Sequence, residues 1–131
     1  DAERRLVDLP GYGYAKVPAH MQNHWRALIE LYLERRAALR GLVVVMDCRH
    51  PLKPYDHMML EWLACSGLPG HVILTKSDKL PSGKRKQALQ LVHSAVPENV
   101  TVQLFSAQTG VGLDLLRERL DPWFEWPTAV E

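Results

Sequence analysis

The amino-acid sequence predicts an α/β fold with an open, mostly parallel sheet and helices on both faces. Short apolar runs alternate four times with amphipathic helical stretches, and the segments between them are short. The valine-rich run 42–46 is continuously apolar, which is typical of a strand covered on both faces. At 131 residues, 47% of them hydrophobic, the chain is long enough for one domain and too short for two ordinary ones.

The order of the elements follows from the apolar pattern and from the glycines and prolines that interrupt it. Leu6 and Val7 are predicted to end a short first strand, because a loop rich in glycine and proline follows them. Beyond this loop, apolar residues at helical spacing mark helices, and short branched runs mark strands. The further predicted elements are a helix over about 21–39, a strand over 42–46, a helix over 55–63, a strand over 72–74, a helix from about 82 to 95, a strand over 100–105 and a helix from about 113 to 120.

Several helix boundaries depend on single residues. Ser82 is a candidate N-cap for the third helix, since its hydroxyl can accept a hydrogen bond from a free backbone N–H. Gly67 is predicted to end the second helix, and Pro97 prevents the third from continuing. Gly110 and Gly112 are predicted to open the last helix. These assignments place every predicted strand directly before a loop.

Composition narrows the class of protein. Sixteen Lys and Arg residues stand against fifteen Asp and Glu, a formal charge of +1, so the overall charge does not favour nucleic acid or membrane binding. Cys48 and Cys65 lack metal or redox spacing, which favours buried, reduced thiols in a cytosolic protein. No apolar run has the length of a membrane span. A chain that starts at Asp1 rather than Met is expected to be a fragment.

Three short segments, each following a predicted strand, are candidates for a ligand site. In open α/β sheets, ligands bind beyond the carboxyl ends of the strands. The segments are Asp8-Leu9-Pro10-Gly11, Thr75-Lys76-Ser77-Asp78 and Phe105-Ser106-Ala107. Each string alone is weak evidence, since a turn with solvated side chains explains it equally well. Their joint occurrence in this order indicates part of a guanine-nucleotide site.

Each predicted contact has a chemical reason. The Asp78 carboxylate can accept hydrogen bonds from N1–H and the 2-amino group of guanine, which adenine does not offer in that arrangement. The Lys76 stem can lie along the base, and the small residues Ser106 and Ala107 can present backbone N–H groups to guanine O6. Asp8 is placed to hold Mg²⁺ through water. The neighbouring glycine at position 11 would let a backbone N–H approach a phosphate.

Longer strings resemble the EngB family of bacterial GTPases across nearly the whole chain. They are Asp8-Leu9-Pro10-Gly11-Tyr12-Gly13-Tyr14-Ala15, Met46-Asp47-Cys48-Arg49-His50-Pro51, Glu61-Trp62-Leu63, Thr75-Lys76-Ser77-Asp78 and Phe105-Ser106-Ala107. The resemblance implies a P-loop GTPase fold of the translation-factor class that binds GTP or GDP with Mg²⁺. It also implies a role in assembling the large ribosomal subunit, by contact with rRNA and ribosomal proteins, and in cell division and septation. The intact protein is expected to be a cytoplasmic monomer without membrane contact.

The sequence departs from a complete GTPase in two ways. No Gly-x-x-x-x-Gly-Lys-Ser/Thr string occurs, and in the family this phosphate-binding loop lies upstream, with the first switch and a central strand. Residues 1–131 are therefore expected to form a partial GTP-binding domain. Tyr12 follows the glycine where Ras-like enzymes carry a water-orienting Gln, which leaves the catalytic residues unassigned, and the family resemblance implies slow intrinsic hydrolysis. The alternatives are a nucleotide-free scaffolding fragment that binds RNA or protein, and an unrelated flavodoxin-like domain.

Overall fold

The computed structural model describes residues 2–9 and 19–125, without the side chains of residues 19, 20 and 22. They belong to two compact units, Asp1–Leu39 and Arg40–Glu131. In chain order the elements are helix α1 (Ala19–Arg35), strand β1 (Leu42–Asp47), helix α2 (Pro54–Ser66), strand β2 (Gly70–Thr75), a 3-10 turn (Ser77–Lys79), helix α3 (Ser82–Ala95), strand β3 (Val100–Leu104) and helix α4 (Leu113–Leu120).

The second unit is built around a three-stranded parallel sheet in the order β1, β2, β3. Leu42 of β1 is paired with Gly70 of β2, and Gly70 is paired in turn with Val100 of β3. The carboxyl ends of the strands therefore lie at one edge of the sheet. The predicted α/β class with an open parallel sheet is confirmed.

The core of this unit lies around the central strand β2. Val72 and Leu74 of β2 are fully buried, as are Leu63 of α2 and Val92 of α3. Helix α2 contacts β1, and α3 contacts β3. A methyl group on Gly70 would come within 2.6 Å of Leu63 Cδ1, so glycine is what allows this close approach. The nearly continuous burial of β2 agrees with its central position between β1 and β3.

Several helix boundaries follow the predicted signals. Gly67 takes the left-handed conformation, with φ of 72°, and its N–H donates to the Leu63 carbonyl, which ends α2. Gly112, with φ of 86°, precedes α4. The N-cap prediction for Ser82 is wrong, because Ser82 is the first residue of α3 and Pro81 occupies the cap position without a side-chain hydrogen bond. A proline suits this place because it has no N–H to satisfy and its φ is already fixed.

Two predictions about strands are wrong. Leu6 and Val7 lie in irregular backbone and are 79% and 47% exposed. An extended segment becomes a strand only when another strand hydrogen-bonds along it, and an apolar run does not reveal its partner. Strand β1 was expected to be covered on both faces, yet Val45 is 60% exposed. The other face of the same strand is covered, since Leu42, Val44 and Met46 are buried, so within this unit β1 is covered mainly on one face.

No helix in the described ranges, 2–9 and 19–125, combines the length and the hydropathy needed to cross a membrane.

Candidate functional site

Two loops that follow adjacent strands form an open pocket at the carboxyl edge of the sheet. We call Thr75–Lys79, which begins at the last residue of β2, the lysine loop, and Ser106–Gly112, after β3, the serine loop. The cavity has a volume of about 500 Å³. Its lining residues are Thr75, Lys76, Asp78, Lys79, Phe105, Ala107 and Gln108. Two of the three predicted segments therefore meet around one cavity.

A hydrogen bond between the two loops fixes the Asp78 side chain. The Ser106 hydroxyl donates to Asp78 Oδ1 at 2.8 Å, and Ser106 itself is fully buried. The same hydroxyl oxygen accepts a hydrogen bond from the Thr109 N–H at 3.2 Å. Because a hydroxyl has one proton, its donation is directed to Asp78. The position of the carboxylate is thus set by a residue that solvent does not reach.

This hydrogen bond also keeps Asp78 ionised. Donation from Ser106 is the main reason that the pKa of Asp78 lies below its ordinary value, and the nearby Lys79 ammonium acts in the same direction. Lys79 Nζ lies 3.8 Å from Asp78 Oδ2. A carboxylate has about four acceptor positions, and these two neighbours occupy only some of them. Asp78 can therefore still accept two N–H groups from a ligand.

The lysine loop is bound to its surroundings through its backbone. The Ser77 N–H donates to the Phe105 carbonyl at 3.2 Å, which joins the loop to the end of β3. The Lys79 N–H donates to the Lys76 carbonyl at 2.9 Å and closes the 3-10 turn. Ser77 is buried, whereas Lys76 and Asp78 are exposed. This arrangement places both charged residues in the pocket lining, with the Lys76 side chain 57% exposed and the Asp78 side chain 20% exposed.

The serine loop is closed by hydrogen bonds within itself. The Ser106 N–H donates to the Val111 carbonyl at 3.0 Å, and the Gly110 N–H donates to the Ser106 carbonyl at 2.9 Å. Gly112 lies so close to the Leu104 carbonyl that an added Cβ would collide with it. Since its own N–H is engaged, Ser106 affects the pocket through the hydrogen bond from its hydroxyl to Asp78. The amide of Ala107, which lines the cavity, is the remaining candidate of the pair for guanine O6.

A buried polar network behind the serine loop was not foreseen from the sequence. The Gln103 side-chain amide donates to the Leu104 carbonyl at 3.1 Å and to the Gly112 carbonyl at 2.8 Å. Its Oε1 therefore accepts from His71 Nε2, at 2.7 Å. His71 Nδ1, in turn, accepts from the Thr101 hydroxyl at 2.6 Å. Burial lowers the pKa of His71, so the ring is neutral and carries its proton on Nε2.

The third predicted segment belongs to the first unit. Asp8 is exposed and Leu9 is half-buried, both in irregular backbone, while Pro10 and Gly11 lie outside the described residues. In the part of the chain that the structure describes, no group of three His, Cys, Asp or Glu residues could hold a metal ion. A Mg²⁺ ion held through water by a single carboxylate remains compatible with this, because Mg²⁺ keeps several of its waters in protein sites.

Curated proteins resemble this chain closely. It is 55% identical over 125 residues to the probable GTP-binding protein EngB of Xanthomonas oryzae pv. oryzae, covering 92% of this chain and 60% of that protein. The probable GTP-binding protein EngB of Stenotrophomonas maltophilia is 51% identical over 125 residues, with 92% and 62% covered. No family model matches the chain. The resemblance to the EngB family is confirmed over the aligned residues, and the chain spans about 60% of the length of these relatives.

Solved structures agree on the fold. A crystal structure of a probable GTP-binding protein EngB has a TM-score of 0.70 at 19% identity, covering 90% of this chain and 76% of that one. The apo form of translation elongation factor SelB from Methanococcus maripaludis has a TM-score of 0.60 at 22% identity, covering 89% of this chain and 26% of that one. At such low sequence identities the likeness concerns the fold alone, and this chain shares the fold of these two proteins.

Proposed function

We propose that this chain is the base-binding part of an EngB-type GTP-binding protein, in which Asp78 recognises guanine. The observation that carries this proposal is the 2.8 Å hydrogen bond from buried Ser106 to Asp78 at the rim of the pocket. It joins two segments that are distant in sequence and holds an ionised carboxylate where a ligand can reach it. The EngB name of the curated relatives supports the same assignment.

The proposed contacts use the chemistry of the described residues. Asp78 accepts hydrogen bonds from N1–H and the 2-amino group of guanine, and the Lys76 stem covers one face of the base. The Ala107 N–H donates to O6, next to the Thr75 and Phe105 walls of the pocket. The bound nucleotide would be GTP or GDP with Mg²⁺, for which Asp8 and Gly11 are the proposed contacts. GTP carries the γ-phosphate whose hydrolytic release, leaving GDP, would switch the protein between two states.

A wider role is part of the proposal. We place the intact protein in the cytoplasm as a monomer that acts in assembly of the large ribosomal subunit, and through it in cell division and septation. The support is the family resemblance. Hydrolysis is expected to be slow without a partner. A single-turnover GTP hydrolysis assay of the intact protein, with and without large ribosomal subunits, tests this. A hydrolysis rate that the subunits leave unchanged would contradict the proposal that the ribosome is the partner.

The assignment of Asp78 to guanine is tested by changing the hydrogen-bonding groups of the base and of residue 78 together. Asparagine presents one acceptor and one donor, which match N1–H and the 2-oxo group of xanthine rather than the two donors of guanine. Asp78→Asn should weaken GMP binding on the order of tenfold to hundredfold and improve XMP binding. The measurement is NMR titration of the 131-residue chain with GMP, XMP and AMP, read at the amides of both loops.

A matched variant controls for loss of charge. Asp114→Asn removes an exposed carboxylate from the first turn of α4 and should leave all three affinities unchanged. If unmodified chain shows no preference of GMP over AMP, the guanine site is wrong, and a scaffolding role is favoured. If Asp78→Asn retains the preference for GMP, another residue reads the base.

A further inference from the structure

We infer that Asp47 is a positioning residue of this site, which holds Lys76 in the place where it covers the face of the purine. The inference rests on the proposed function, since it gives Lys76 its task. Asp47 is the last residue of β1, and Thr75, its pairing partner in the sheet, comes directly before Lys76. The first loop after β1 thus lies beside the lysine loop.

The backbone of Lys76 shows that something holds it. Lys76 has φ of 59°, in the left-handed region that residues with side chains seldom adopt. Such conformations persist where surrounding contacts determine them, and they concentrate at ligand-binding positions. Glycine would adopt this conformation without strain, yet it would offer no side chain to the base. The lysine is therefore kept in a costly conformation at a position that lines the pocket.

Contacts from the end of β1 account for this backbone conformation. The Cys48 thiol donates to the Lys76 carbonyl at 3.3 Å, and the Cys48 N–H donates to the Thr75 carbonyl at 3.0 Å. From the other side, the Thr75 hydroxyl donates to the Met46 carbonyl at 3.2 Å. Cys48 is almost completely buried, so these bonds are shielded from water. The residues around Asp47 thus bind both residues that begin the lysine loop.

Asp47 adds a contact to the Lys76 side chain. Its Oδ2 lies 3.5 Å from Lys76 Nζ and 2.7 Å from Arg49 Nη2. Its Oδ1 accepts from Arg49 Nε at 3.0 Å and from the Arg49 backbone N–H at 2.9 Å. The Asp47 side chain is only 19% exposed, whereas that of Lys76 is 57% exposed. The carboxylate is therefore fixed by Arg49 and offers an anchor to the more exposed lysine.

The charge of this anchor does not change near neutral pH. The Arg49 guanidinium beside Asp47 holds the pKa of that carboxyl well below its usual range. With its ammonium group held at one end and its backbone at the other, the Lys76 stem has fewer orientations to lose when a base packs on it. Asp47 would thus raise affinity without touching the nucleotide.

A role at the face of the base differs measurably from a role at its edge. GMP and IMP have the same purine face, but IMP lacks the 2-amino group that Asp78 is proposed to bind. Loss of the Asp47 anchor should therefore weaken both ligands by the same factor. A defect that spreads to Asp78 would instead reduce the preference for GMP. The GMP to IMP ratio separates positioning of Lys76 from general damage to the site.

The test is a double-mutant cycle on the 131-residue chain. Asp47→Asn should weaken GMP and IMP by roughly threefold to fivefold each, the range of a partly exposed ion pair. Lys76→Met, which keeps an unbranched stem but removes the charge, should have a similar effect. In the Lys76→Met background Asp47→Asn should add nothing, because both changes remove one interaction. Glu98→Gln, at an exposed carboxylate before β3, is the matched control and should change neither affinity.

The outcomes are distinct. Additive effects of Asp47→Asn and Lys76→Met, or a selective loss of GMP over IMP, overturn the positioning role while leaving the guanine site in place. Unchanged affinity of Asp47→Asn for GMP and IMP would also overturn the positioning role while leaving the guanine site in place. If unmodified chain binds GMP no better than AMP, the proposed function fails and the inference fails with it.

Discussion

The lysine loop and the serine loop line the same pocket but are held in place by different means. The lysine loop depends on partners far away in sequence: Phe105 binds its backbone, and Asp47 and Cys48 contact Lys76. The serine loop closes largely on itself, through hydrogen bonds between Ser106 and residues up to Val111. The conformation of the lysine loop therefore depends on residues outside it, whereas that of the serine loop depends mainly on hydrogen bonds within the loop.

This difference assigns the two loops different sensitivities. A change within the serine loop should disturb a local structure on which the fold itself depends, because the Gln103 network ties it to the core. A change around the lysine loop should act mainly on the ligand. The guanine edge and the purine face can then be perturbed separately.

The largest effect is expected at Gly112. Its φ of 86° and its closeness to the Leu104 carbonyl and the Gln103 amide leave no room for a methyl group. Gly112→Ala should lower the free energy of unfolding by about 2 to 4 kcal/mol, from backbone strain and disruption of the Gln103 hydrogen bonds. Denaturant unfolding followed by circular dichroism measures this.

Gly83→Ala is the matched substitution for that measurement. Gly83 lies in α3 with open space around its Cα, so alanine should be neutral or should stabilise the helix by up to about 1 kcal/mol. Equal effects of the two substitutions would show that the serine loop is not rigidly closed.

A smaller loss of stability, together with a change at the ligand, is expected from Ser106→Ala, because this buried hydroxyl bonds both Thr109 and Asp78. Without its hydroxyl donor Asp78 is free to rotate, and the preference for GMP over IMP should fall by about threefold to tenfold. Affinity for IMP should change much less, in contrast to the equal losses expected for Asp47→Asn. NMR titration with both nucleotides checks this, and equal losses for the two would contradict the edge role of Asp78.

The smallest effect is a pH dependence from His71. Its pKa in the fold lies below the ordinary value of 6.5, so between these two values the unfolded chain binds more protons than the folded one. Stability should therefore decrease as pH falls below about 6.5 and level off below the folded pKa. The change should be smaller in His71→Gln. Denaturant unfolding of both proteins at pH 8 and pH 5.5 measures the loss of stability between these pH values. The same loss in both proteins would contradict a buried neutral His71.

Much of the fold was predictable because its signals are local. The glycines around α2 and α4 mark real boundaries, and the valine-rich run of β1 is a strand. What failed depends on partners: Leu6 and Val7 have strand-like side chains, but strand formation needs a neighbour that an apolar run does not specify. The exposure of Val45 has a similar origin, since a run of valines looks alike in a strand covered on both faces and in one covered on a single face.

The site shows the same division. The strings around Asp78 and Ser106 indicated two loops at strand ends, and the structure joins these residues by a hydrogen bond. The engagement of the Ser106 amide by Val111 was not predictable, because it depends on how the loop turns. Asp47 and His71 were missed as supporting residues, since their partners lie 29 and 32 positions away in the chain. Such pairs become visible only when the sheet brings them together.

The exposed side of β1 has a practical meaning for work with the isolated chain. A strand at the border of a sheet presents backbone groups to which another strand can add, and Val45 contributes an apolar side chain to that border. In concentrated samples two copies can join along this line into a larger sheet. Sedimentation at several concentrations would reveal such assembly, and a lysine at position 45 should suppress it.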